Sequence, residues 1–127
     1  MSRSASAPVI ATVIDPVDRL QLDAAAQGRF RPVHAESITQ AIRAVRERPV
    51  EAVLVSPSQV DRHQLAGVAS LVEGFPGVAT VAVISRRSTD ATSRLLDLGA
   101  CGVRRVVDLS ERRGWQSLQA LLTDPTT

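Results

Sequence analysis

The stretch VEAVLVSPSQVD, residues 50–61, is an apolar run that stops at a serine followed by a proline. Such a run is typical of a strand buried on both faces, and the serine-proline pair indicates a loop at its end. Similar runs occupy residues 9–14, 78–84 and 103–107, and a weaker one occupies residues 30–35. Pro32 in the weaker run favours a position at the edge of a sheet.

Helical patterns separate the strands, and a fifth follows the last one. Each helix has a predicted N-cap residue: Asp15, Ser37, Asp61, Ser88 and Ser110. The first helix has Pro16 in its first turn, and it is expected to bury Val17, Leu20 and Ala24. Ser37 and Gln40 have the spacing of a capping box.

Five β-α repeats predict an α/β fold with an open, doubly wound sheet of five parallel strands in the order 2-1-3-4-5. This is a flavodoxin-like three-layer sandwich, and we assign it to residues 8–123. Residues 1–7 are expected to form a disordered leader, and residues 124–127 a tail or the start of a linker. A site would lie at the carboxyl ends of the first and third strands.

The composition argues against several classes of function. All 15 basic residues are arginines, and 13 acids leave a net charge of only +2, so direct nucleic-acid binding is not expected. A single cysteine, Cys101, excludes an internal disulfide and a multi-cysteine metal site. No apolar segment is long enough for a signal peptide or a membrane span, which favours a cytoplasmic protein. No glycine-rich loop follows the first strand, and no cofactor is expected.

Four segments carry a resemblance to a known family: VIATVIDPVDRL (9–20), RPVEAVLVS (48–56), VAVIS (81–85) and LLDLGACGVRRVV (95–107). In order and spacing they resemble the receiver domain of bacterial two-component response regulators, over about residues 8–123. The resemblance implies a pocket with two acids and a phosphorylated aspartate that hold Mg²⁺, a hydroxyl residue and a lysine.

Most of these positions depart from the family pattern. Asp15 matches the first acid and Ser85 matches the hydroxyl residue, but Pro16 replaces the second acid. Ser56 stands in place of the phosphorylated aspartate, and Val106 in place of the lysine. One carboxylate is a poor Mg²⁺ site, and Ser56 has no adjacent base. The sequence therefore predicts a pseudo-receiver with a vestigial pocket, no catalytic residue and no metal.

Arginines are concentrated between the fourth strand and the fifth helix. The resemblance implies that the fourth helix, fifth strand and fifth helix form a dimerisation and partner surface. Interspersed acids would allow arginine-carboxylate pairs across a twofold axis, although a solvated mixed-charge face is the alternative. The predicted interaction residues are Arg87, Arg94, Arg104, Arg105, Asp108 and Arg112. We expect a homodimer of a regulatory module, with a covalently linked DNA-binding output domain as a possible neighbour.

Two other functions remain open. An atypical receiver or anion sensor would use Asp15, Ser56 and Ser85. A small serine hydrolase would use Ser56 with His34 or His63 and Asp15, but no G-x-S-x-G motif surrounds this serine.

Overall fold

The computed structural model describes residues 9–26, 30–84, 91–108 and 116. Its strands are β1 (Val9–Val13), β2 (Arg31–His34), β3 (Val50–Val55), β4 (Ala79–Ile84) and β5 (Arg105–Asp108). Its helices are α1 (Pro16–Ala26), α2 (Ile38–Glu47), α3 (Arg62–Gly74) and α4 (Ala91–Ala100), and a short 3₁₀ helix spans Pro57–Gln59. Apart from residue 116, the predicted fifth helix lies outside the described residues.

The strands form one parallel sheet in the order β2-β1-β3-β4-β5, which confirms the predicted fold class and topology. Pro32 lies in an outer strand, as expected for a residue without an N–H to donate. β1 and β3 are adjacent and pair Val13 with Val55 at their carboxyl ends. The ends of these two strands therefore lie side by side.

Each face of the sheet has its own apolar layer. In β1, Ala11 and Val13 pack on the face that α2, α3 and α4 cover, whereas Ile10 and Ile14 pack with Leu22 of α1. This alternation follows from the two-residue period of a strand. The result is a three-layer arrangement with a largely apolar sheet at its centre. None of the helices in the described ranges is long and apolar enough to cross a membrane.

Side-chain caps fix the starts of α2 and α3. Ser37 Oγ accepts a hydrogen bond from the Gln40 N–H at 3.2 Å, and Gln40 Oε1 accepts one from the Glu36 N–H at 2.9 Å. Asp61 Oδ1 accepts from the Gln64 N–H at 3.1 Å. The predicted capping box is present in a shifted form, because the reciprocal bond reaches Glu36 rather than Ser37.

The buried face of α1 differs from the predicted one. Leu20 is 72% exposed and Ala24 is also exposed, while Asp18 and Leu22 face the sheet. Asp18 and Leu22 are four residues apart and share one side of the helix, which places Leu20 on the other side. The prediction that Leu20 and Ala24 are buried was wrong.

Candidate functional site

The carboxyl edge of the sheet brings together the segments that follow β1 and β3. The Ser56 N–H donates to the Val13 carbonyl oxygen at 2.9 Å, which continues the β1-β3 pairing one step beyond β3. Asp15 follows β1 by two residues. The predicted pocket residues Asp15, Pro16 and Ser56 therefore occupy the ends of adjacent strands.

Asp15 acts as the N-cap of α1. Its Oδ1 accepts a hydrogen bond from the Val17 N–H at 2.9 Å, and its carbonyl oxygen accepts from the Arg19 N–H at 3.0 Å. One carboxylate oxygen is thus already used to satisfy a backbone donor at the helix start. Pro16 contributes no polar side-chain atom, so the pair of acids that the resemblance implies is incomplete.

Asp18 is the buried acid of this region, and sequence reasoning missed its burial. Its residue surface is only 4% exposed. The signal in the sequence is its spacing of four from Leu22, which is fully buried. Nevertheless, within the described residues there is no group of three or more His, Cys, Asp or Glu side chains that could hold a metal ion.

Ser56 is buried inside the domain. It is 1% exposed, its carbonyl oxygen accepts from the Gln59 N–H at 2.9 Å, and the adjoining Pro57 is also buried. The 3₁₀ helix that begins at Pro57 packs against α4. Ser56 Oγ has no hydrogen-bond partner among the described residues. A phosphate donor or substrate cannot reach this hydroxyl without movement of the segments that cover it.

Val106 places an apolar side chain where the resemblance implies a lysine. It pairs with Ala82 of β4 and is 51% exposed on the outer strand β5. A valine supplies neither a charge nor a donor for a phosphoryl group. Ser85, the remaining predicted pocket residue, lies outside the described residues.

His34 belongs to a separate polar network. Its Nδ1 is hydrogen-bonded to Thr12 Oγ1, and its Nε2 lies 2.8 Å from Asp23 Oδ1. The network joins β1, β2 and α1, and β2 lies on the opposite side of β1 from β3. A hydroxyl, an imidazole and a carboxylate in a row resemble a catalytic triad, but Thr12 is fully buried and cannot meet a substrate.

The predicted hydrolase site is not brought together. His34 is bound to Thr12 and Asp23 instead of Ser56, and His63 is an exposed residue at the start of α3. Sequence reasoning missed the Thr12-His34-Asp23 network. The sequence feature that could have revealed this network is Thr12, a polar residue within the apolar run VIATVI. Thr12 pairs with His34.

Three of the six predicted interaction residues can be placed. Arg104 and Arg105 are exposed at the start of β5, and Asp108 is partly buried at its end. Arg87, Arg112 and the side chain of Arg94 lie outside the described part. Two exposed apolar residues belong to the same region of the chain: Leu96 on α4, 73% exposed, and Val106.

No protein-family model matches this sequence, and no curated protein matches it. Solved structures do match. A pilus assembly-related protein from Burkholderia pseudomallei is 19% identical with a TM-score of 0.70, over 97% of this chain and 94% of that one. A response regulator from Thermotoga maritima is 15% identical with a TM-score of 0.68, over 92% and 98%.

A third similar structure is the receiver domain of a Saccharomyces cerevisiae response regulator in complex with a histidine phosphotransfer signaling protein. It is 10% identical with a TM-score of 0.65, over 94% of this chain and 88% of that one. At these identities the comparisons establish the fold alone. The chain has the receiver fold, with the same five-stranded parallel sheet that its sequence predicts.

Proposed function

We propose that this domain is a pseudo-receiver: a regulatory and dimerisation module that acts without phosphorylation, in the cytoplasm, as part of a signalling or transcription regulator. The observation that carries the proposal is the burial of Ser56. The residue in place of the phosphorylated aspartate is a serine that is 1% exposed, and the 3₁₀ helix begins at the next residue, Pro57.

The surroundings of Ser56 support the same function. Pro16 removes one of the carboxylates that a Mg²⁺ ion requires, and Asp15 Oδ1 is occupied by the Val17 N–H. Val106 provides no positive charge to stabilise a transferred phosphoryl group. Among the described residues, phosphoryl transfer therefore lacks an acceptor carboxylate, a group of side chains that could hold a metal ion, and a lysine at the position of Val106, while the fold that presents the protein surface is intact.

Incubation with acetyl phosphate and Mg²⁺ tests this function. We expect the intact mass of the protein to remain unchanged, because no acceptor side chain is exposed in the pocket. A genuine receiver domain, treated in the same way, serves as the positive control. A phosphoryl adduct that disappears in the Ser56→Ala variant would contradict the proposal.

We also propose that α4, β5 and the predicted fifth helix form the interaction surface, with Arg87, Arg94, Arg104, Arg105, Asp108 and Arg112 as its charged residues. Exposed Arg104 and Arg105 support this choice, as do the exposed apolar side chains of Leu96 and Val106. The yeast receiver structure contains a protein partner, which is consistent with a module that binds protein. The partner that we propose for this surface is a second copy of this chain.

An anion sensor is the second candidate. The observation that favours it is the Ser56 hydroxyl, which has no hydrogen-bond partner among the described residues and could bind an anion if α4 moved away. This function predicts a rise in melting temperature with phosphate or sulfate, and loss of that rise in the Ser56→Tyr variant. An unchanged melting temperature would exclude it.

A further inference from the structure

We propose that two copies of this chain pair through β5 in antiparallel orientation, so that their sheets join edge to edge about a twofold axis at Val106. The inference rests on the proposed function, because it specifies how the dimer would form. It identifies the partner as a second copy and fixes the register of the contact.

Within the described residues, no strand pairs with the outer edge of β5. It is the last strand of the sheet, and β4 is its neighbour on one side. An outer strand presents unpaired N–H and C=O groups that can bond to another strand. The other outer strand, β2, is less suitable because Pro32 has no N–H and because Asp23 holds the end of the strand through His34.

Symmetry restricts the possible registers. A twofold axis perpendicular to the joined sheet relates each face of one sheet to the same face of the partner's sheet. Residues directly opposite each other in an antiparallel pair must also share a face. Since side chains alternate between faces, the axis must relate one central residue to the same residue of the partner. It cannot lie midway between two consecutive residues. The pairing is therefore centred on Arg105, Val106 or Val107.

Side-chain chemistry distinguishes these registers. Centring on Arg105 would oppose two guanidinium groups, which is destabilising. Centring on Val107 would place Val106 opposite the partner's Asp108, an apolar side chain against a carboxylate. Centring on Val106 places the two Val106 side chains together and Arg104 opposite the partner's Asp108. Of the three, only that register places the two Val106 side chains together and opposes Arg104 with a carboxylate; on the other face it places Arg105 opposite the partner's Val107.

The exposure of the side chains agrees with this register. Val106 is 51% exposed, whereas Val107 is 5% exposed and already packs in the core. Val106 pairs with Ala82, which packs with Leu98, so Val106 lies on the face that α4 covers. Arg104 and Asp108 are each two residues from Val106 and belong to the same face. A carboxylate accepts several hydrogen bonds, so Asp108 can bind the partner's Arg104 in addition to contacts in its own chain.

The register also accounts for the residue type at position 106. A lysine there would place two ammonium groups opposite each other across the axis. Valine instead supplies an apolar contact on a β-branched side chain that suits a strand. In this arrangement, the substitution that weakens the phosphoryl site also allows the two sheets to join.

Disulfide trapping tests the register. Val106→Cys and Arg105→Cys are introduced separately into the full chain that carries Cys101→Ala, and the proteins are oxidised with copper phenanthroline. We expect Val106→Cys to form a crosslinked dimer, since directly opposite strand residues lie within disulfide range, about 4.4 to 6.8 Å between Cα atoms. Arg105→Cys, the matched control on the neighbouring exposed residue, should remain uncrosslinked because its counterpart is Val107.

Sedimentation velocity on the same proteins separates the two proposals. A dimer in which Val106→Cys does not crosslink, or in which Arg105→Cys crosslinks instead, overturns the β5 pairing but leaves the proposed dimerisation module. A monomer at every concentration overturns both. Val106→Arg provides a second test, because it should dissociate the dimer, whereas Leu20→Arg on α1 should leave it intact; circular dichroism checks that both are folded. A Val106→Arg protein that stays dimeric overturns the β5 pairing.

Discussion

Ser56 combines a buried position with a hydroxyl that has no hydrogen-bond partner among the described residues. A polar group in this situation has lost its water without a compensating bond, which is unfavourable. Its backbone, by contrast, is fully used, since the N–H bonds to Val13 and the carbonyl oxygen to Gln59. The backbone of Ser56 therefore contributes to the fold, whereas its side chain can be replaced.

We predict opposite outcomes for two substitutions at this residue. Ser56→Ala should keep or slightly raise the free energy of unfolding, because it removes an unpaired hydroxyl. Ser56→Asp should lower it by about 3 kcal/mol, because it places a charged carboxylate at a position that is 1% exposed. Urea denaturation measures both. Equal stability of the two variants would mean that the site is open to water.

The two histidines allow a matched comparison. His34→Ala should lower the free energy of unfolding by about 2 kcal/mol, because it leaves Thr12 Oγ1 buried without its partner. His63→Ala, a change at an exposed residue of α3, should alter it by less than about 0.5 kcal/mol. If the two variants melt alike, the Thr12-His34-Asp23 network does not stabilise the domain.

Cys101 should respond slowly to thiol reagents. Burial, and to a lesser degree the Asp97 carboxylate, raise the pKa of its thiol, and its Sγ donates to the Leu65 carbonyl oxygen at 3.3 Å. The folded state favours the thiol form, so the associated stability is present below the unfolded-state pKa and is lost as pH rises through the higher folded-state pKa. Alkylation by iodoacetamide should be slower in the folded protein than in urea at neutral pH. Equal rates would contradict this.

At the scale of the elements, the strands and their order could be predicted because four of the five coincide with near-continuous apolar runs, and the weaker run at residues 30–35 contains β2. The buried face of α1 could not, because Val17, Leu20 and Ala24 offer an apolar stripe that competes with the true one at Asp18 and Leu22. Hydropathy favours the wrong stripe since it assigns an acid to the surface. The tertiary contacts of the helix decide the outcome.

The geometry of the candidate site, too, could be predicted from the sequence only in part. The position of Ser56 at the end of a strand follows from the sequence, but its 1% exposure does not, because burial is set by tertiary packing between segments that are distant in the sequence. The hydrogen bonds of His34 likewise depend on the register of β1 with β2 and on the placement of α1. Such contacts leave only weak signals in the local sequence.

Two glycines at the end of α4 should behave differently. Gly102 has a φ of +104°, and a Cβ there would lie 2.9 Å from Val72 Cγ1, so Gly102→Ala should lower the free energy of unfolding by at least about 1 kcal/mol. Gly99 is helical with nothing within 4 Å of an added Cβ, so Gly99→Ala should raise it by up to about 1 kcal/mol. Thermal denaturation compares the two. A stabilised Gly102→Ala variant would contradict the turn geometry.

For the whole molecule, the receiver fold is present, and Ser56 at the carboxyl edge of the sheet is buried. Apolar layers pack on both faces of the sheet and hold the strands in place. β5 has exposed polar and apolar groups. It is separated by β4 from β3, the strand that Ser56 follows. We therefore propose that the function of the domain lies at this outer edge of the sheet and not in the pocket.

The most direct test of this account is the backbone amide NMR spectrum recorded with and without Mg²⁺ and beryllofluoride, which mimics a phosphoryl group. We predict that the resonances of Asp15, Ser56 and Ser85 do not move, since the acceptor is absent and Ser56 is covered. Saturable shifts at these residues that spread into α4 would contradict the account and show that the pocket still binds an anion.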